Sequence, residues 1–150
     1  TGILPITDEK MTRFNISLDE SVQMVFWALE NSLGGEIFVP KIPSYKILDL
    51  AEAIGPKCKK EIIGIRPGEK IHEELITPAD SYYTLDLGQY YIIAPSEKFI
   101  AKNIRYLESK LFKKVKKGFN YNSGTNSKFL CVKEIRELIR LNIDEDFMPF

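Results

Sequence analysis

The apolar positions of this chain gather in short runs, each ended by a polar or glycine-bearing stretch. Gly2-Ile3-Leu4-Pro5-Ile6-Thr7 is one such run, closed by the polar TDEK, and RFNIS (Arg13 to Ser17) reads as extended. Ser17 with Glu20 three residues on has the form of a capping box, in which a hydroxyl and a carboxylate each take an orphan backbone N–H. From there Val22, Val25, Phe26 and Leu29 recur at three- and four-residue spacing, which predicts an amphipathic helix ending before Gly34-Gly35. EIFVP (36–40) predicts a buried strand closed by Pro40. Ile47, Leu48, Leu50, Ala51 and Ile54 then form the apolar side of a second helix, stopped at Gly55.

KEIIGI (60–65) reads as a further strand, and GEKIHEELI (68–76) as a third helix. YYTLDLGQYYIIAPS (82–96) divides into two short strands around Gly88. Residues 98–117 hold a helix with a lysine cluster, FNYNSGTNS (119–127) a polar loop, and VKEIRELIRL (132–141) a short terminal helix. Alternating short strands and helices give an α/β unit. Without regular crossovers it resembles an accessory lobe more than a complete doubly wound domain.

At 150 residues the chain can bury one real core. Its 21 Lys and Arg balance its 21 Asp and Glu, so net charge gives no argument for nucleic acid or an anionic membrane as partner. Cys58 and Cys131 lie far apart with no CxxC spacing, the pattern of free thiols in a reducing compartment. No apolar run approaches the roughly 18–20 residues of a membrane span. The chain opens at Thr1 on a strand-like segment, so it is expected to be a piece of something larger.

The chemistry-bearing motifs are few. GxGxxG and GxxxxGK[ST] are both missing from the sequence, so no dinucleotide or nucleotide phosphate loop is recognisable. His72 is the one histidine, and HExxH fails because position 76 is Ile. Tyr106 and Lys110 have the YxxxK spacing of a dehydrogenase base, but without a dinucleotide fold before them they read as two residues sharing a helix face. The lysines at 110, 113, 114, 116 and 117 read as a solvated face.

Arg66 differs, because it ends the apolar IIGI and enters Pro67-Gly68-Glu69. A guanidinium there can fork onto phosphate oxygens, and Glu69 can accept two bonds from a vicinal diol. Together they suit a sugar nucleotide diphosphate. They equally suit a pair closing an ordinary turn, with Glu69 favouring a helix N-terminus. The residues alone leave these readings level.

Longer stretches tip the balance. LPITDEKMTRFNISLDESV, GGEIFVPKIPSYKILDLAEAI, IIGIRPGEKIHEELI, YYIIAPS and GFNYNSGTNSKFLCVKEIRELI cover nearly the whole chain in order. They resemble the carboxyl-terminal portion of the inverting UDP-N-acetylglucosamine 4,6-dehydratases, extended short-chain dehydrogenases/reductases that initiate pseudaminic acid synthesis. The resemblance implies an α/β substrate-binding lobe without its Rossmann domain. It divides the chain into a UDP-contact segment (1–16), an α/β lobe (17–96) and a carboxyl-terminal extension (97–150). The backbone of Leu4, Pro5 and Ile6 would face uracil, Arg13 and Arg66 the diphosphate, and Glu69 the ribose, with Thr7 and Thr12 as further contacts. Asn15 departs from an aromatic frequent in relatives, which bears on packing beside Arg13.

The implied reaction removes water across C5 and C6 of the sugar with inversion at C5, hydride passing through NADP held by the absent amino-terminal domain. The isolated chain is then expected to be inactive and to expose apolar surface. The complete enzyme is expected to be a homo-oligomer in the bacterial cytoplasm, taking a UDP-sugar and no nucleic acid. A UDP-sugar epimerase with the same lobe, and a stand-alone sugar-nucleotide-binding module, are the alternative readings.

Overall fold

A computed structural model describes residues 2–150; Thr1, where the expected contact segment begins, lies outside them. The elements open with β1 (Ile3–Ile6), β2 (Thr12–Phe14), α1 (Leu18–Asn31), β3 (Ile37–Pro40), β4 (Ser44–Lys46), α2 (Ile47–Ile54) and β5 (Lys59–Ile62). Then follow β6 (Glu74–Ile76), a 3-10 turn (Asp80–Tyr82), β7 (Thr84–Asp86), β8 (Tyr90–Ile93), α3 (Glu97–Lys102) and α4 (Ile104–Ser109). β9 (Lys113–Lys114), β10 (Tyr121–Asn122) and α5 (Val132–Asn142) complete the order. The architecture is mixed α/β, as the alternation of short apolar runs implies. No helix among the described residues is long and apolar enough to cross a membrane.

Backbone packing divides the chain into two compact units interleaved in sequence. The first takes residues up to Leu18, Ile42–Glu73 and Asn122–Phe150. In it β1 runs parallel to β5, from Ile3 opposite Lys59 to Ile6 opposite Ile62. β2 lies antiparallel to β4, with Arg13 opposite Tyr45. Its core is Ala53, Leu130 and Ile135, flanked by Tyr45, Leu50 and Leu138, where α2 meets α5. Arg136 of α5 donates from Nε to the Ala53 carbonyl at 3.0 Å and from Nη2 to the Glu52 carbonyl at 3.0 Å. That places a cation on the orphan carbonyls at the end of α2, where the helix dipole favours it. Gly55 follows, and the absence of a side chain is required there. A Cβ would sit 2.7 Å from Cys58 Sγ and 2.9 Å from Leu4 Cδ1. Cys58 and Cys131 are both free thiols.

The second unit comprises Asp19–Lys41 and Glu74–Tyr121. Its antiparallel sheet has the order β3-β8-β7-β9, and Leu85, Ile92, Ala94, Ile100 and Leu107 form its core. The two strands expected around Gly88 are β7 and β8. Trp27 of α1 stacks on Tyr90 at 4.3 Å and meets Phe38 edge-on at 5.4 Å. The strand expected at 36–40 forms, but Val39 is buried and Ile37 is exposed.

Three expectations need correction. Residues 68–76 do not form a helix: they run irregularly to Glu73 and then into β6. Gly68 stands at φ +85°, a left-handed conformation that interrupts helical backbone. The Ile71 carbonyl accepts the Thr12 N–H at 2.9 Å, and the Glu73 carbonyl accepts the Ser123 N–H at 2.8 Å, so tertiary partners replace helical ones. The stretch 98–117 is two short helices, α3 and α4, meeting at Asn103, with Lys113 and Lys114 in a strand beside β7. The polar stretch 119–127 contains β10 and the fully buried Ser123.

Candidate functional site

All eight residues singled out in the sequence lie in the first unit, on two adjoining stretches of backbone. β1 brings Leu4, Pro5 and Ile6 beside β5, with Ile6 buried and Pro5 exposed. The other edge of β1 carries no strand among the described residues. Thr7 follows, half-buried, and a turn through Asp8 leads into β2. There the Asp8 carboxylate accepts the Lys10 N–H at 2.7 Å and its carbonyl the Met11 N–H at 3.2 Å.

The Arg66 turn is pinned at both ends by these same strands. At its start the Ile63 N–H donates to the Ile6 carbonyl at 2.8 Å; at its end the Thr12 N–H donates to the Ile71 carbonyl at 2.9 Å. The seven residues between, 64–70, therefore project from a fixed base made by the end of β1 and the start of β2. Within the turn the Glu69 carboxylate accepts the Arg66 N–H at 3.0 Å, and the Glu69 N–H returns a bond to the Arg66 carbonyl at 3.1 Å. Glu69 thus closes the turn through backbone and not through the Arg66 side chain. The Arg66 guanidinium is exposed and has no side-chain partner among the described residues.

Arg13 is held differently. Its Nη1 donates to the Thr12 carbonyl at 2.7 Å and to the Ile71 carbonyl at 3.2 Å, and its Nε lies 3.5 Å from Glu73 Oε1. The side chain keeps 23% of its surface exposed, so a fixed cation still faces solvent. Across the β2–β4 pair, burial raises the Tyr45 phenol above its ordinary value, and the Arg13 charge partly opposes that. Arg13 is thus a restrained cation and Arg66 an exposed one, and the turn that carries Arg66 is tied to β2 through Ile71.

The Thr12 hydroxyl points elsewhere. Thr12 is buried, and its Oγ1 lies 2.8 Å from His72 Nδ1 and 2.7 Å from Ser123 Oγ. Its hydroxyl is therefore partnered inside the protein. His72, considered in the sequence only as a metal ligand, belongs to this polar knot. No group of three or more His, Cys, Asp or Glu among the described residues is arranged to hold a metal ion. Ser123 escaped sequence reasoning because nothing in a run of Asn, Ser, Gly and Thr distinguishes a buried hydroxyl from an exposed one.

Tyr106 and Lys110 lie in the second unit, where Tyr106 Oη donates to Asn31 Oδ1 at 3.1 Å and Lys110 Nζ donates to the same oxygen at 2.9 Å. Their YxxxK spacing serves to fasten α4 to the end of α1.

In class, the fold corresponds to the mixed α/β carboxyl-terminal region of an extended short-chain dehydrogenase/reductase. The chain belongs to the polysaccharide biosynthesis protein family, whose model matches residues 1–95. It is 48% identical over 139 residues to a Campylobacter jejuni protein named UDP-N-acetylglucosamine 4,6-dehydratase (inverting), covering 91% of this chain and 42% of that protein. It is 39% identical over 145 residues to a UDP-glucose 4-epimerase of Rickettsia felis, covering 94% of this chain and 41% of the epimerase. A crystal structure of Pen from Bacillus thuringiensis matches 92% of this chain and 41% of its own, with a TM-score of 0.70 and 28% identity. The chain thus spans about two fifths of the length of these relatives, and the matched stretch is the dehydratases' carboxyl-terminal part.

Proposed function

We propose that this chain is the sugar-nucleotide-binding portion of a UDP-N-acetylglucosamine 4,6-dehydratase, inverting at C5 and acting at the entry to pseudaminic acid synthesis. The observation that carries the reading is the Arg66 turn pinned between Ile6 and Thr12, in a chain 48% identical to a dehydratase. The open edge of β1 receives the uracil, Arg13 and Arg66 the diphosphate, and Glu69 the ribose through the carboxylate oxygen not bonded to Arg66. Segment 1–16 supplies the uracil contacts and Arg13, 17–96 forms the lobe and supplies Arg66 and Glu69, and 97–150 extends it, contributing the Ser123 anchor.

Binding a diphosphate through β2 and the turn anchored to it makes the chemical step effectively unimolecular, because the sugar ring is held in one orientation. NADP, when bound in the complete enzyme, supplies hydride transfer. This chain's sequence has no glycine-rich phosphate loop, so the cofactor is assigned to polypeptide outside it. By itself the chain is therefore inactive. The complete enzyme is proposed to be a homo-oligomer of the bacterial cytoplasm.

The 39% identity to an epimerase supports a second reading, in which the same lobe serves inversion at a sugar carbon without loss of water. Incubating the complete polypeptide with UDP-N-acetylglucosamine distinguishes the two. A dehydratase releases a product lighter by one water, with a 4-keto carbon and a 6-methyl group in its NMR spectrum. A product of unchanged mass identifies the epimerase and overturns the dehydratase reading.

A further inference from the structure

Ser123 has no accessible surface, so it cannot touch a ligand, yet its bonds converge on the residues that hold Arg13. Its Oγ accepts the Glu73 N–H at 2.9 Å, and its own N–H donates to the Glu73 carbonyl at 2.8 Å. The same Oγ lies 2.7 Å from Thr12 Oγ1 and 3.3 Å from the Thr12 carbonyl. Thr12 and Glu73 are two of the three residues that grip the Arg13 guanidinium, one by its carbonyl and one by its carboxylate. Ser123, 111 positions from Thr12, is thus the common anchor of both.

His72 completes the knot, and the protons can be placed whichever ring nitrogen carries one. If Nδ1 is unprotonated, the Thr12 hydroxyl donates to it and Ser123 donates to Thr12. If Nδ1 carries the proton, it donates to Thr12, Thr12 donates to Ser123, and Ser123 donates to the Thr12 carbonyl. Either arrangement gives both buried hydroxyls an acceptor, as a buried polar group requires. The ring also lies against Gly124, where a Cβ would sit 2.5 Å from Nδ1. Residue 124 therefore keeps the histidine in place by having no side chain.

We infer that Ser123, acting through Thr12 and Glu73 with His72 and Gly124 fixing the knot, is a positioning residue for Arg13. A stretch that reads as an ordinary polar loop thereby sets the geometry of the diphosphate grip. The inference rests on the proposal that Arg13 binds the diphosphate.

The test is a double-mutant cycle in the complete polypeptide, with Ser123→Ala, Arg13→Ala and the pair. KM and kcat are measured for UDP-N-acetylglucosamine, and Kd for UDP by calorimetry. Ser123→Ala is expected to raise KM and Kd about five- to tenfold, the range of a lost buried hydrogen bond, with kcat nearly unchanged. In the Arg13→Ala background it is expected to raise them no further, because the residue it positions is gone. Equal losses in both backgrounds overturn the inference, since Ser123 then acts independently of Arg13. A silent Ser123→Ala beside a damaging Arg13→Ala also overturns it and leaves the binding proposal standing. A silent Arg13→Ala removes the binding proposal and the inference together. If Ser123→Ala fails to fold, Ser123→Cys, similar in size but a weak donor, carries the same cycle.

Discussion

At the scale of single residues, charge was easier to read than its restraint. Arg66 stood out because a guanidinium ends an apolar run, and it emerges exposed on a turn closed by Glu69. Arg66→Ala in the complete polypeptide should lower kcat/KM for the UDP-sugar by about 1.5–3 kcal/mol, the scale of a hydrogen bond to a charged group. Glu69→Ala should cost less and act mainly on KM, since it removes the proposed ribose acceptor and loosens the turn by freeing the Arg66 N–H. Steady-state kinetics of the two variants decide this. Unchanged KM and turnover in Arg66→Ala would rule out its proposed role, and a Glu69→Ala defect confined to turnover would do the same for Glu69. Thr12, by contrast, was legible as a polar neighbour of Arg13 but not as a buried one. Its partners His72 and Ser123 lie 60 and 111 positions away, and no local pattern encodes such a meeting.

At the scale of elements, local pattern succeeded where local forces decide. α1, α2 and α5 carry apolar stripes at helical spacing and form close to where the stripes lie. The segment 68–76 failed for the opposite reason. Its residues suit a helix, but the Ile71 carbonyl and the backbone of Glu73 are held by β2 and Ser123. Strand β4 went unseen because Ser44-Tyr45-Lys46 is too short to show alternation, and its partners are β2 and the chain at Lys128 and Leu130. Long-range pairing also explains the stability expected of α2, whose eight residues are short for an isolated helix. Arg136 is the contact to remove. Arg136→Ala should destabilise the chain by about 1–3 kcal/mol, because it withdraws two charged donors from part-buried carbonyls at the end of α2. Urea unfolding followed by circular dichroism measures it, and a midpoint equal to the parent's would contradict the capping role.

At the scale of the whole molecule, the second unit presents a face that its own core does not use. α1 buries none of its residues fully. Trp27 faces inward onto Tyr90, while Val22, Val25, Phe26 and Leu29 are all exposed, Leu29 to 73% and Phe26 to 57%. These four repeat at the spacing of one helical stripe, so the exposed side is as ordered as a core-facing one. β3, with Ile37 exposed at 61%, is an edge of the sheet in the same unit, with no strand on its other side among the described residues. Covering a leucine or phenylalanine of this kind is worth about 1.5–3 kcal/mol each, and a contiguous apolar patch on a soluble surface marks a contact surface. The 150-residue chain alone should therefore self-associate at micromolar concentration, visible as a concentration-dependent rise in sedimentation coefficient. Phe26→Glu with Leu29→Lys places opposite charges on the stripe without touching the Trp27–Tyr90 stack. That pair should return the chain to a monomer while leaving its melting transition in place. A parent chain that sediments as one monomeric species across that range would mean the stripe is not sticky, and the expectation of an exposed contact face would fall.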